Sequence, residues 1–184
     1  ITIVGTDVKA EMAKVEVKNN NKSLAWGALY WQYFEQLDKI TPAKTGIKIK
    51  KQLFIQNSTA KGNLLTPLTA TNILKPGDLL KVRIEIYSDR DMEYVHLKDM
   101  RSSGFEPVNV ISRYKYQDGL GYYESTKDAS TNFFIGYLRK GTYVFEYDLR
   151  VTHEGNFSNG ITSLQCMYAP EFTAHSEGIR VNVK

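Results

Sequence analysis

The chain has 184 residues, of which 42% are hydrophobic and 24% charged, and its formal net charge is +4. This length suits one sizeable domain, or one domain plus an arm, and the composition excludes a disordered chain. The single cysteine excludes an intrachain disulfide. No apolar run is long enough to span a bilayer, and the weak positive charge is too scattered to indicate a nucleic-acid-binding protein.

The N-terminal part of the chain differs in pattern from the rest. The chain begins at Ile1 without a signal sequence, as expected of a segment excised from a longer protein. Residues 24–34 are apolar at both odd and even positions. A strand that is buried on both faces needs cover from both sides. With a linker predicted at residues 41–43, the sequence divides into a β segment at 1–42 and a self-sufficient domain at 43–184.

Alternating apolar and polar residues predict strands with one buried face. The alternation is clearest at residues 80–86, 142–151 and 179–184, and shorter strands are predicted at 13–17, 47–56, 94–98, 132–137 and 164–168. Turn sequences such as Pro76-Gly77 and Asp118-Gly119 separate them. No segment shows a long amphipathic helix. The sequence therefore predicts an all-β fold, an immunoglobulin-like antiparallel β-sandwich with an N-terminal β arm.

Two clusters of charge are predicted to be solvated. Lys48, Lys50 and Lys51 form the only dense group of lysines, which favours an exposed strand face over a nucleic-acid patch. Asp89, Asp91 and Glu93 form an acidic cluster in the stretch SDRDME, which lacks the glycine and the terminal glutamate of a calcium-binding loop. Both clusters are therefore interpreted as surface features.

Two motifs suggest catalysis or RNA binding but fail on context. Ser58 and Lys61 match S-x-x-K and residues 44–46 read K-T-G, but the order is reversed relative to serine β-lactamases and no helix carries the serine. Residues 140–147 resemble the aromatic strand of RNA-recognition domains, but the stacking positions are out of register. Aromatic residues on one strand face are predicted to be core.

The histidines and the cysteine do not form a recognisable site. His96, His153 and His175 lie far apart and show no metal-ligand spacing; the first is predicted on a strand and the other two in loops. Cys166 shares a predicted strand face with Leu164 and Tyr168, so it is interpreted as a small buried hydrophobe. We predict no catalytic, cofactor-binding or metal-binding residue, and no enzyme activity.

One patch suggests an interface. The stretch QDGLGYYES places Leu120, Tyr122 and Tyr123 among glycines, and exposed tyrosine often marks a contact surface. Adjacent tyrosines on a strand point to opposite sides, so one of the two is expected to face outward. The three residues are predicted either as a docking surface or as an edge strand that packs on its own sandwich.

A set of short elements in the second half of the chain carries a family resemblance. They are YV at 94–95 with Asp99, GFEP at 104–107, YYE at 122–124, Phe134 with Leu138, KG at 140–141, FEY at 145–147, LR at 149–150, GNF at 155–157, MYAPE at 167–171 and Ser176. In this order and spacing they resemble the C-terminal macroglobulin-type domain of bacterial alpha-2-macroglobulin-like proteins, over roughly residues 45–184. Residues 1–42 then look like the part of an interrupted β-domain that follows the family's thioester-type helical domain.

The resemblance implies a function. The chain would be a non-catalytic structural and interaction domain of a protease-trapping protein in the bacterial cell envelope, in the periplasm. It would dock on other domains of the same chain, meet proteases indirectly, and need no cofactor. Residues 166–169 bear no relation to the thioester motif, and no bait is evident. The apolar arm could also pair with a second copy.

Two other functions remain open at this stage. One is a stand-alone adhesive or glycan-binding sandwich in which Trp26, Trp31 or tyrosines form a platform. The other is a hydrolase on a β-scaffold, which needs convergent polar groups that the sequence does not show.

Overall fold

The computed structural model describes residues 1–27, 29–60, 62–69 and 71–184, which divide into two units, Ile1–Phe34 and Glu35–Lys184. The described residues of the first unit contain two short 3-10 helices, Gly5–Asp7 and Ala10–Ala13, and no strand, including at the predicted residues 13–17. Its large apolar side chains are exposed, among them Trp26 and Phe34. This unit alone does not form the expected β arm, and its pairing with a further β segment stays a proposal.

The second unit is built of strands. In chain order they are β1 (Ile47–Thr59), β2 (Gly62–Pro67), β3 (Leu79–Ser88), β4 (Met92–Met100), β5 (Phe105–Pro107), β6 (Arg113–Gln117), β7 (Leu120–Thr126), β8 (Ser130–Leu138), β9 (Gly141–Val151), β10 (Gly155–Ser158), β11 (Thr162–Cys166), β12 (Thr173–His175) and β13 (Arg180–Val183). The predicted strands from residue 47 onward are confirmed within a few residues at each end.

The strands form two large antiparallel sheets. The first sheet has the order β2-β1-β3-β9-β5, and the second has the order β12-β11-β4-β8-β7-β6. Strands β10 and β13 make a small separate ribbon. Because neighbours in each sheet are often distant in sequence, the chain crosses repeatedly between the sheets, as in immunoglobulin-like sandwiches. The all-β sandwich prediction is confirmed.

Alternation along the strands explains the core. Every second residue of β3 is buried from Leu80 to Ser88, and β9 buries Phe145, Tyr147 and Leu149. Inward residues of the second sheet join the same apolar cluster, including Val95, Leu97, Phe133, Ile135 and Leu164. Full burial of one such side chain stabilises a fold by about 1.5–3 kcal/mol. The predicted aromatic core on β9 is thereby confirmed for Phe145 and Tyr147.

Two predicted turns have the backbone that their residues favour. Asp118 and Gly119 have φ values of 50° and 75°, the left-handed conformation that a two-residue hairpin needs at both positions. They join β6 to β7. Gly77 has φ of 98°, and the Asp78 amide donates to the Lys75 carbonyl oxygen at 3.1 Å, which closes the turn before β3.

The lysine cluster is the clearest correction to the sequence analysis. Lys48 and Lys50 are exposed, but Lys51 is buried, because it alternates with Ile49 and Leu53 on the inner face of β1. Its ammonium lies 2.7 Å from Asp99 Oδ1. It also donates to the Met100 carbonyl oxygen at 2.7 Å. The prediction of a solvated Lys51 is wrong because a buried carboxylate on the opposite sheet compensates its charge.

Asp99 has two further hydrogen-bond partners in the core. The Thr162 hydroxyl donates to Oδ1 at 2.6 Å, and the Tyr147 hydroxyl donates to Oδ2. Burial, then the neighbouring Asp99 carboxylate, raises the pKa of Tyr147 well above its usual value. The result is a polar cluster that joins the two sheets across the core.

Contacts on both sides of residue 42 attach this part of the chain to the sandwich unit. The backbones of Ala43 and His175 exchange hydrogen bonds of 3.2 and 3.0 Å. Arg180 Nη1 lies 3.3 Å from Asp38 Oδ2. These contacts attach the predicted linker to the sandwich, and the division at residue 42 remains a proposal.

Candidate docking surface

A row of rings crosses the outer face of the second sheet. The strand register places Tyr114 opposite Tyr123, Tyr123 opposite Phe134, and Phe134 opposite His96. The rings of Tyr114 and Tyr123 meet edge to face with centroids 5.0 Å apart, and His96 stacks on Phe134 at 4.8 Å. Cross-strand aromatic pairs of this kind stabilise a sheet. The row remains substantially open to solvent, and Tyr114 is 82% exposed.

A second aromatic pair extends this surface. Tyr94 on β4 and Tyr168 after β11 meet edge to face, with centroids 5.2 Å apart. Tyr94 has φ of 52°, which is uncommon for a residue with a side chain. The Met167 amide donates to the Tyr94 carbonyl oxygen at 2.9 Å and helps to hold this backbone. A strained residue that carries an exposed ring is consistent with a functional position.

A groove of about 290 Å³ runs between the rings. Gly136 lies in its wall, and a Cβ built on Gly136 would meet no atom within 4 Å. The missing side chain leaves a notch in an otherwise aromatic surface. We call Tyr94, Tyr114, Tyr123, Phe134, Met167 and this notch the aromatic face. Its groove is wide enough for a large apolar side chain of a partner.

The groove is apolar, and polar contacts lie around it. It is lined by Tyr94, Val95, Tyr114, Tyr123, Phe134, Ile135, Gly136 and Met167, none of which is charged. His96 Nε2 lies 3.0 Å from Asn132 Oδ1. Surfaces rich in tyrosine and methionine and poor in charge are typical of the centres of protein interfaces. The aromatic face therefore has the composition of a docking surface.

A hydrogen-bond cluster beside the aromatic face fixes the turn between β8 and β9. The Lys140 amide donates to Asp91 Oδ1 and the Tyr137 hydroxyl to Asp91 Oδ2, each at 2.7 Å. Both bonds lower the pKa of the Asp91 carboxyl, and the bond from the Lys140 amide has the larger effect. The hydrogen bond between Tyr137 and Asp91 raises the pKa of the Tyr137 hydroxyl. The predicted acidic cluster lies at the surface: Asp91 and Glu93 are exposed and Asp89 is partly exposed, although Glu93 belongs to β4 and not to the turn.

The three residues predicted as a docking surface separate in the structure. Leu120 and Tyr122 are each only 2% exposed and face the core, where the Tyr122 ring packs on Phe133 and Phe145. They cannot contact a partner directly, because alternation along β7 turns both inward. Tyr123 faces outward and belongs to the aromatic face. The proposed docking role therefore stays with Tyr123 alone.

Burial also affects the chemistry of Tyr122. Desolvation, with a smaller contribution from Glu124, raises the pKa of Tyr122 to about 12. Its hydroxyl is buried and has no hydrogen-bond partner among the described residues. Glu124 itself is buried and accepts two hydrogen bonds from Lys115 Nζ, at 2.7 and 2.9 Å.

Sequence reasoning missed most of the aromatic face. Tyr114 could have been found, because a two-residue turn at Asp118-Gly119 places it opposite Tyr123. Phe134, Gly136 and Met167 come together only through the pairing of β4, β8 and β11, which the sequence does not reveal.

The other candidate residues do not form a site. Cys166 is buried like Leu164, as predicted, and its Sγ donates to the Glu93 carbonyl oxygen at 3.3 Å. Tyr168 is 79% exposed because β11 ends at Cys166, so the prediction that it shares the buried face is wrong. His175 lies in strand β12 and not in a loop.

Several negative observations apply to the described part of the chain. Within it, no group of three or more His, Cys, Asp or Glu side chains is placed to hold a metal ion. No helix there has the length and apolarity that a membrane span requires. Ser58 lies on β1, while Lys61 of the S-x-x-K motif falls outside the described residues.

Comparison with models of protein families identifies a family for this chain. A family model described as the bacterial alpha-2-macroglobulin MG10 domain matches residues 46–171. A comparison with curated protein sequences gives no significant match.

Solved structures with a similar fold include proteins from two bacteria. A mutant alpha-2-macroglobulin from Salmonella aligns with a TM-score of 0.62 and 18% identity over 79% of this chain and 10% of its own. The methylamine-reacted Salmonella protein gives 0.61 and 18% over the same shares. Trypsin-activated alpha-2-macroglobulin from Escherichia coli gives 0.60 and 13%, over 79% of this chain and 11% of its own. At these identities the likeness establishes the fold, and this chain spans only about a tenth of each of these proteins.

Proposed function

Because the chain belongs to the bacterial alpha-2-macroglobulin MG10 domain family, we propose that it is a non-catalytic interaction domain of a larger alpha-2-macroglobulin-like protein. The aromatic face is the observation that carries this proposal. It combines exposed rings, a charge-free groove and a notch at Gly136 on the outer face of one sheet. Exposure of such an apolar surface to water is unfavourable, so its burial by another domain would stabilise the larger protein.

The occupant of the aromatic face is another domain of the same chain. The similar proteins from Salmonella and Escherichia coli are about ten times longer than the matched region, which supports a multidomain parent. Docking within one chain benefits from a high effective concentration, so one modest surface is sufficient. Tyr123 and Tyr94 would then act as contact residues in the resting state.

The larger protein would act as a protease trap in the bacterial cell envelope, in the periplasm. One similar structure is described as trypsin-activated, which supports a parent that responds to a protease. This chain would be its last domain, and residues 1–42 would complete a preceding β-domain. The chain would then touch proteases only indirectly, while the exposed apolar residues of its N-terminal unit offer a second contact, to that β-domain or to another copy.

A glycan-binding module fits the aromatic face less well. A sugar ring stacks on an open ring face, but the exposed tyrosines pack edge to face with each other, at interplanar angles of 86° and 65°. Rings committed to each other in this way form the walls of a groove, which suits insertion of an apolar side chain better than stacking of a sugar.

The proposal is tested by filling the notch in the longer protein. Gly136→Val adds a β-branched residue where there is space, so the domain itself should fold normally. Thr66→Val also places a valine on an exposed strand position, in the first sheet, and is the control for added apolar surface. We expect Gly136→Val to lower the melting temperature of the longer protein and to weaken protease trapping. Equal behaviour of the two variants would contradict the proposal.

A further inference from the structure

Strand β9 is paired unequally on its two sides. On one side it pairs with β3 from Gly141 to Arg150. On the other side β5 covers only Leu149–Val151, and the Val108 amide adds one bond to the Asp148 carbonyl oxygen at 3.1 Å. Among the described residues, no strand lies beside residues 142–147 on this side. We call this stretch the open edge of β9. An uncovered strand edge is a template for pairing with another chain.

Side chains from a single turn occupy the open edge. Gln117 Oε1 accepts from the Glu146 amide at 2.8 Å, and Gln117 Nε2 donates to the Glu146 carbonyl oxygen at 3.1 Å. Asp118 Oδ2 accepts from the Val144 amide at 2.8 Å. Val144 and Glu146 are two residues apart, the spacing at which one edge of a strand presents its backbone groups. A side-chain amide that both donates to and accepts from one residue imitates a partner strand.

The open edge borders a cleft between the two sheets. The cleft has a volume of about 540 Å³. Its lining includes Pro107 and Val108 at the end of β5, Gln117, and Glu146 and Asp148 of β9. An extended peptide that continued the line of β5 would enter this space. Such a peptide would pair with the backbone groups of Val144 and Glu146. Among the described residues, the side chains of Gln117 and Asp118 are now hydrogen-bonded to these groups.

We propose that the open edge of β9 is a strand-pairing site for an extended peptide segment, closed by a latch of Gln117 and Asp118. The peptide would supply the backbone N–H and C=O groups that the Gln117 amide now imitates, as in other cases of strand addition. Arg113 lines the same cleft and makes no ion pair among the described residues. An acidic side chain on the segment would pair with it. This site is distinct from the aromatic face and does not depend on the proposed function.

The test opens the latch without removing the turn. Gln117→Thr keeps a strand-forming residue that is too short to reach Glu146, and Asp118→Gly suits a left-handed turn position. Gln165→Thr makes the same exchange on β11, where the side chain has no described hydrogen bond, and is the control. All variants are made in the full 184-residue chain. The probe is a capped fluorescent peptide of alternating threonine and valine with one central glutamate.

Fluorescence anisotropy should show the peptide binding about tenfold more tightly to the double variant than to the wild type, because three competing hydrogen bonds are gone. The control variant should bind like the wild type. A peptide with proline in place of every threonine and valine lacks the N–H groups of all those positions and should not bind. Replacing the central glutamate by glutamine should weaken binding. Gln117→Thr alone should give a smaller gain in affinity for the peptide. It replaces the double variant in the test if the double variant does not fold.

Amide hydrogen exchange locates the binding. Val144 and Glu146 should lose protection in the double variant and regain it with the peptide. Equal affinity for wild type and double variant, or binding of the proline peptide, would overturn the proposal. Dimerisation of the double variant with renewed protection in the absence of peptide would also overturn it, because the open edge would then belong to a second copy.

Discussion

Lys51 Nζ lies 2.7 Å from Asp99 Oδ1, and neither side chain retains exposed surface. The pair joins β1 of the first sheet to β4 of the second. Removing one member of a buried pair leaves an uncompensated charge in the core, which typically costs about 3–5 kcal/mol. The pair therefore makes the core sensitive to single substitutions at either position.

Lys51→Met should lower the free energy of unfolding by about 3–5 kcal/mol, because Asp99 would keep only hydroxyl donors in an apolar core. Urea unfolding followed by circular dichroism measures the loss. Lys81→Met is the control, since Lys81 pairs with a partly exposed Asp148 and should cost about 0–1 kcal/mol. Similar losses for both variants would show that the buried pair has no special role.

The buried tyrosines should make the fold sensitive to alkali. Tyr122 has a folded-state pKa of about 12, above the unfolded value near 10. The folded state therefore holds the proton longer, and its stability is complete below pH ~10 and is lost as the pH rises from there towards 12. Tyr122→Phe should flatten this loss. Denaturant midpoints measured between pH 8 and pH 12 report it, and an unchanged pH profile would contradict the assignment.

Two neighbouring tyrosines on β7 should respond very differently to truncation. Tyr122→Ala removes a core ring and should cost about 3–5 kcal/mol. Tyr123→Ala removes a half-buried outward ring with cross-strand partners Tyr114 and Phe134, and should cost about 0.2–1 kcal/mol for each pair. Equilibrium unfolding of the two variants in the same buffer separates them. Comparable costs would place Tyr123 in the core and exclude it from docking.

The backbone at Tyr94 gives a further test of the aromatic face. Its φ of 52° tolerates asparagine but is unfavourable for a β-branched residue. Tyr94→Asn should leave the free energy of unfolding nearly unchanged, while Tyr94→Val should cost at least about 1 kcal/mol. If valine were accepted as readily as asparagine, the left-handed conformation would not be a property of the molecule in solution.

Local patterns predicted much of the sandwich. The alternation in β3 and β9, and the turn at Asp118-Gly119, are visible in the sequence because each depends on neighbours a few residues apart. Tyr123 was found for the same reason. The N-terminal unit was predicted as β from its apolar residues, but its described residues form no strand and leave their large apolar side chains exposed.

The long-range features were not accessible from one sequence. Lys51 resembles a surface lysine until β4 places Asp99 beside it. The notch at Gly136 exists only when β8 lies between β4 and β7. The latch of Gln117 and Asp118 depends on the turn, which was predicted, and on the short length of β5, which the sequence does not indicate. In each case the property depends on strand register across two sheets.

The measurement that tests the central claim most directly is hydroxyl-radical labelling of the longer protein and of the isolated 184-residue chain. Met167 and Tyr123 on the aromatic face are compared with Leu64, an exposed residue of the first sheet. Docking through the aromatic face predicts several-fold less labelling of Met167 and Tyr123 in the longer protein, with Leu64 unchanged. Equal labelling of Met167 and Tyr123 in both samples would contradict the account.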